Sequence, residues 1–74
     1  MPETASETLG ERVKALREQR GWSQGELGRR AQLDQSIVSN IEADNKEPKI
    51  STLIRLARGL GVTVGELLGE QVAR

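Results

Sequence analysis

The chain has no cysteine and no histidine, which excludes a disulfide framework and removes the usual nitrogen and sulfur ligands of a zinc site. Any core must hold by packing alone. A single tryptophan is the only aromatic residue, and no apolar run approaches the roughly 20 residues of a membrane-spanning helix. The start, Met1-Pro2-Glu3-Thr4, lacks the basic residues and apolar stretch of a secretory signal. A cytoplasmic protein with no membrane and no metal is expected. Neither sign of charge is in excess, since 11 Lys and Arg balance 11 Asp and Glu. A surface for a polyanion needs only a local excess of positive charge, so the neutral total leaves nucleic acid open as a partner.

The 74 residues suit one domain with one core. Residues 1–6 are polar and patternless and read as a leader, with Ser6 a candidate helix cap. Leu9, Val13 and Leu16 recur at helical spacing and predict a first helix from Glu7 to Arg20, stopped by Gly21. Ser23, with Glu26 three residues on, has the form of a capping box and predicts a second helix from Gln24 to Gln32. Asp34 is placed to cap a third helix with Val38 and Ile41 inward and Gln35, Ser36, Ser39 and Asn40 outward. That helix ends near Ala43, before the turn-rich run Asp44-Asn45-Lys46-Glu47-Pro48. Ile50, Leu53, Leu56, Ala57 and Leu60 make the strongest apolar stripe, closed by Gly59 and Gly61. Thr63 caps a short fifth helix carrying Val64, Leu67 and Leu68. No segment alternates with period two, so the fold class is all-α, a five-helix bundle over residues 7–69 with a tail at 70–74.

Catalysis is not expected. The carboxylates are spread over helix surfaces, and no acid–base constellation or phosphate-binding glycine loop is present. The pair of short helices between Gln24 and Ala43 is more informative. Two helices joined by a tight turn cross steeply only where a small residue sits at the crossing, and Gly28 is that residue.

Three runs then resemble the phage repressor/Cro (XRE) helix-turn-helix family: Leu16-Arg17-Glu18-Gln19-Arg20-Gly21-Trp22-Ser23-Gln24-Gly25-Glu26-Leu27; Val38-Ser39-Asn40-Ile41-Glu42; and, after Pro48, Leu53-Ile54-Arg55-Leu56-Ala57-Arg58-Gly59-Leu60-Gly61-Val62. The likeness extends over about residues 9–68. It implies a lambda-repressor-like bundle whose third helix reads the major groove of double-stranded DNA. Carried over by position, it implies that Gln35, Ser36, Ser39 and Asn40 face base edges. Gln24, Arg29, Lys46 and Lys49 would meet phosphates, and Arg17 and Glu42 would form a structural ion pair. Trp22 takes a core position in this scheme. Ile37 lies at the edge of the buried stripe, with partial burial the expectation and a thymine-methyl contact the alternative. Arg12, Lys14, Arg55 and Arg58 read as solvated surface.

Four positions depart from the family pattern. Gln32 replaces glycine in the inter-helix turn, Ala43-Asp44 replaces a residue-glycine stop, Lys49 replaces a capping serine, and Gly28 replaces alanine. One recognition helix reads few base pairs, so a homodimer on a pseudo-palindromic operator is expected, with Ile54, Val64, Leu68 and Val72 as its interface. Control is expected through concentration and dimerisation, with no cofactor. The reading is a transcriptional regulator, repressor or controller; the competing one is a protein-interaction module of antitoxin or adaptor type.

Overall fold

The computed structural model describes residues 7–69 and consists of five helices with no strand among them. These are α1 (Leu9–Gln19), α2 (Gln24–Ala31), α3 (Gln35–Glu42), α4 (Ile50–Leu60) and α5 (Val64–Leu67). The expected leader and tail, and with them Ser6 and Val72, lie outside the described residues. α2 packs against both α3 and α4, α1 lies across α3, and α5 bridges α4 and α1. Each helix sends apolar residues to one shared centre: Val13 from α1, Leu27 and Ala31 from α2, Val38 and Ile41 from α3, Leu53, Leu56, Ala57 and Leu60 from α4, and Leu67 from α5.

The helix starts differ in how well they are capped. α1 is capped by Thr8, not by Ser6: the Thr8 hydroxyl accepts from the Glu11 N–H at 3.1 Å while the Glu11 carboxylate accepts from the Thr8 N–H at 3.1 Å. α5 has the same reciprocal box between Thr63 and Glu66. At α2 only half of the box forms, because the Ser23 hydroxyl accepts from the Glu26 N–H at 3.0 Å but the Glu26 carboxylate turns away to Arg29 and Arg30. Asp34 and Lys49 hold the N-cap positions of α3 and α4 without a side-chain capping bond. Two of the four sites that departed from the family pattern, Asp44 and Lys49, thus bound the α3–α4 loop.

Two expectations about α4 need correction. Ile50 is 70% exposed and stands outside the stripe that Leu53, Leu56, Ala57 and Leu60 bury. It is the first residue of the helix, where the periodicity continues but burial has not begun. Gly59 does not close the helix; it lies within it, where a Cβ would come 3.0 Å from Ala31 of α2. Gly61 alone supplies the left-handed cap.

The turn between α2 and α3 has Gln32 in the left-handed conformation, at φ 60° and ψ 45°. The Arg55 guanidinium donates to the Gln32 carbonyl at 3.2 Å, tying the turn to α4. A Cβ-bearing residue held there costs roughly 1–2 kcal/mol, partly offset by the greater chain entropy that glycine loses on folding. Gln32→Gly is therefore expected to raise the unfolding free energy by roughly 0.5–1 kcal/mol, measured by urea denaturation. An unchanged or lowered midpoint would mean that the turn bears no such strain.

Candidate nucleic-acid interface

What orients α3 is close contact on its inner side. Gly28 of α2 faces the turn so closely that a Cβ would lie 2.6 Å from the Leu33 carbonyl oxygen, which fixes the steep α2–α3 crossing. Gly10 of α1 does the same at the other end: a Cβ would lie 2.4 Å from the Ile41 carbonyl oxygen and 2.7 Å from that of Glu42. Gly10 was not singled out by the sequence reasoning, and an isolated glycine inside a helical pattern was the available signal.

Polar contacts lock the same crossing. The Arg17 guanidinium donates from Nε to Glu42 Oε2 at 2.6 Å and from Nη2 to Glu42 Oε1 at 3.0 Å. Its Nη1 donates to the Trp22 carbonyl at 2.7 Å. The side chains of Arg17 and Glu42 are only 11% and 4% exposed. Gln24 Nε2 donates to Glu42 Oε1 at 3.0 Å, so the amide expected at a phosphate is engaged with the ion pair. Hydrogen bonding to the Glu42 carboxylate holds the Arg17 guanidinium above its ordinary value, against burial, which pulls it down. A cation raised in this way contributes its stability fully below the ordinary arginine value and loses it only above, so the arginine side of the pair adds no pH dependence near neutrality.

Asp44 takes the left-handed conformation, φ 58°, that glycine would adopt freely. Its carboxylate compensates: Oδ2 accepts from the Thr8 hydroxyl at 2.7 Å and Oδ1 from the Gly10 N–H at 3.1 Å. A negative group at the N-terminus of α1 is also favoured by the helix dipole. The loop after α3 is thereby pinned to the start of α1.

The outer side of α3 is open. Gln35, Ser36 and Asn40 are exposed and Ser39 is half-buried, while Val38 and Ile41 are buried. A groove borders each flank of this face. One, of about 270 Å³, is lined by Ile37, Asn40, Pro48 and Thr52 with Lys46, Glu47 and Lys49. The other, between α1, α2 and α3, brings Lys14 together with Gln24, Ser39 and Glu42. By sequence pattern Lys14 is ordinary solvated surface; its place in a groove with Ser39 depends on the α1–α3 crossing, which helical periodicity alone does not reveal.

Arg29 lies on the neighbouring surface of α2, highly exposed and paired with Glu26. Arg30 shares that carboxylate at 2.7 Å and stacks over the Trp22 ring at 4.2 Å. Trp22 is only half-buried, resting on the core with Arg30 and Arg20 over its ring. Its core placement is therefore partial, since one face of the ring serves the arginines. The hydrogen bond from Arg30, with the charge of Arg29, holds the Glu26 carboxyl below its ordinary value against a smaller effect of burial. The sign of that shift places its stabilising effect above the ordinary carboxylate value and removes it as pH falls through the lowered one. Of the residues expected at a dimer interface, Ile54 and Leu68 are exposed and Val64 is half-buried against the core.

A family model described as Helix-turn-helix matches residues 13–67. An immunity repressor protein of Bacillus phage phi105 is 39% identical over 64 residues, a stretch that covers 86% of this chain and 44% of that protein. The P22 c2 repressor, solved in complex with a synthetic operator, superposes with a TM-score of 0.82 at 26% identity, covering 89% of this chain and 100% of the other. A hypothetical transcription factor from Neisseria superposes with a TM-score of 0.77 at 35% identity, covering 81% of this chain and 69% of the other. The chain spans less than half the length of the phi105 repressor and 50% of an HTH-type transcriptional regulator of Bacillus subtilis.

Proposed function

Because this chain belongs to the phage-repressor-like (XRE) helix-turn-helix family, we propose that it is a DNA-binding transcriptional regulator that reads the major groove with α3. The observation that carries this is the division of α3 into two sides. Val38 and Ile41 are buried, whereas Gln35, Ser36 and Asn40 are presented to solvent with nothing in the described fold to cover them. Glutamine and asparagine can pair bidentately with adenine and serine can serve several bases, so this side has the chemistry of base readout. No helix among the described residues is long and apolar enough to cross a membrane, and a cytoplasmic, nucleoid-associated location fits a DNA partner.

Lys46 and Lys49 on one flank are assigned to phosphates, with Lys14 on the other added by its place in the second groove, and Gln24, which gives one Nε2 N–H to Glu42, is assigned to a phosphate through the second. Arg29 can join them at little cost, since an exposed ion pair is worth at most about 1 kcal/mol. A homodimer on a pseudo-palindromic operator supplies the information that one short helix lacks, with half-sites one turn, ~34 Å, apart. Ile54, Val64 and Leu68 form its interface; Val72, proposed with them, lies outside the described residues. Sedimentation showing monomer alone, with and without operator, would remove the dimer.

Selection of bound duplexes from random sequence tests the reading directly, and a recovered two-fold symmetric motif is the expected result. The phosphate assignment has its own test. Lys14→Ala, Lys46→Ala and Lys49→Ala should each weaken selected and random duplexes alike and flatten the log–log dependence of affinity on salt by about 0.9. A protein-interaction module, which the neutral net charge would suit, predicts almost no salt dependence for any of them.

A further inference from the structure

We infer that Ile37 is a specificity residue that reads the 5-methyl group of a pyrimidine at the edge of the site bound by α3. The inference rests on the major-groove reading above and adds to it a base feature that none of the polar residues can recognise. Ile37 is the third residue of α3, and the structure leaves it 38% exposed, although its neighbours Val38 and Ile41 are only 0% and 4% exposed. It does not join the core. With Ile41, Asn40, Pro48 and Thr52 it lines a groove to which Lys46, Glu47 and Lys49 also contribute, and of its two isoleucines Ile37 is the exposed one.

This setting selects an occupant. A branched aliphatic side chain beside Asn40 can offer a base edge only van der Waals contact, and the one apolar group on a major-groove edge is a pyrimidine 5-methyl. The two lysines of the groove complement the phosphates that flank such a base. Within the groove Glu47 is the only carboxylate among the described residues, so the lining keeps a positive excess. Asn40 and Ile37 together then combine a hydrogen-bonding group and a methyl-sized apolar surface one turn-edge apart. That is the pairing needed to tell an adjacent adenine and thymine from other steps.

Thymine and 5-methylcytosine offer the same group, and the test separates them. Starting from the duplex recovered by selection, each thymine is replaced in turn by uracil, and each cytosine by 5-methylcytosine. Affinities are measured for the unaltered protein, Ile37→Val and Ile37→Ala. At one position per half-site, removal of the methyl is expected to weaken the unaltered protein about fourfold, the equivalent of burying one methyl-sized group. Ile37→Val should keep most of that difference, and Ile37→Ala should abolish it there while leaving every other position unchanged. A sensitive thymine identifies thymine as the source; sensitivity only to added methyl on cytosine identifies 5-methylcytosine. Thermal melting of each variant checks that the fold is intact. If the unaltered protein binds its selected duplex but no methyl swap distinguishes it from Ile37→Ala, the inference is overturned while the major-groove reading stands. If no duplex is selected, both fall.

Discussion

Glu42→Ala is expected to lower the unfolding free energy by roughly 3–5 kcal/mol, because it strands a buried guanidinium without its counter-charge. Arg17 is 11% exposed and directs Nε and Nη2 at the lost carboxylate. Among the described residues only the Trp22 carbonyl would remain to it. Gln24 would lose its acceptor as well. A domain of this size has a total stability near the low end of the usual ~5–15 kcal/mol, so the variant should be largely unfolded at moderately raised temperature. Urea denaturation followed through the single tryptophan measures the loss, since Trp22 accepts a bond from Arg17 and reports on the same corner.

The size of the loss alone does not separate a stranded charge from a lost packing contact. The double variant Arg17→Met with Glu42→Leu does. Replacing both members of a buried pair by apolar groups of similar volume is often close to neutral, whereas removing one is not. The double variant should therefore be more stable than either single one. A loss of less than about 1 kcal/mol for Glu42→Ala would place the pair with solvated surface bridges, and the orientation of α3 would then rest on the Gly10 and Gly28 contacts, the Asp44 bonds and the packing of Val38 and Ile41.

The parts of this fold that were legible in the sequence are those fixed by local chemistry. Ser23 before Gln24-Gly25-Glu26 announces the start of α2, and the Val38–Ile41 spacing announces the inner side of α3, because both depend on residues within one turn of each other. Gly28 was legible for a similar reason, since a steep crossing between adjacent short helices demands a small residue. The features that escaped depend on distant partners. Gly10 meets the carbonyls of Ile41 and Glu42, and Asp44 caps the helix that begins after Thr8; neither relation has any local pattern. Lys14 became a candidate phosphate contact only once α1 was laid across α3. Thr8 is a different case. Its box with Glu11 is fully local, but Ser6, two residues earlier, offers a rival capping hydroxyl in the sequence. Ile50 shows the converse error, in which a periodic stripe outlasts the core that gives it meaning.

The second large effect is expected at the outer side of α3, where it should appear in binding and not in folding. Gln35 and Asn40 are exposed. Among the described residues the one side-chain bond made by either is a long one, from Asn45 Nδ2 to Asn40 Oδ1 at 3.4 Å. Gln35→Ala and Asn40→Ala should accordingly leave the melting profile nearly unchanged, within about 0.5 kcal/mol. Each bidentate base contact contributes roughly 1–3 kcal/mol of discrimination. If each residue makes one such contact, the double variant should lose about 30-fold or more in preference for the selected duplex. Binding to random duplex and its salt slope should persist, because Lys14, Lys46 and Lys49 are untouched. Separate loss of preference and retention of salt dependence is what distinguishes base readout from a general weakening of the interface. An undiminished preference in a folded double variant would mean that α3 does not read bases through these groups, and a loss of all binding would mean that they anchor the phosphate backbone instead.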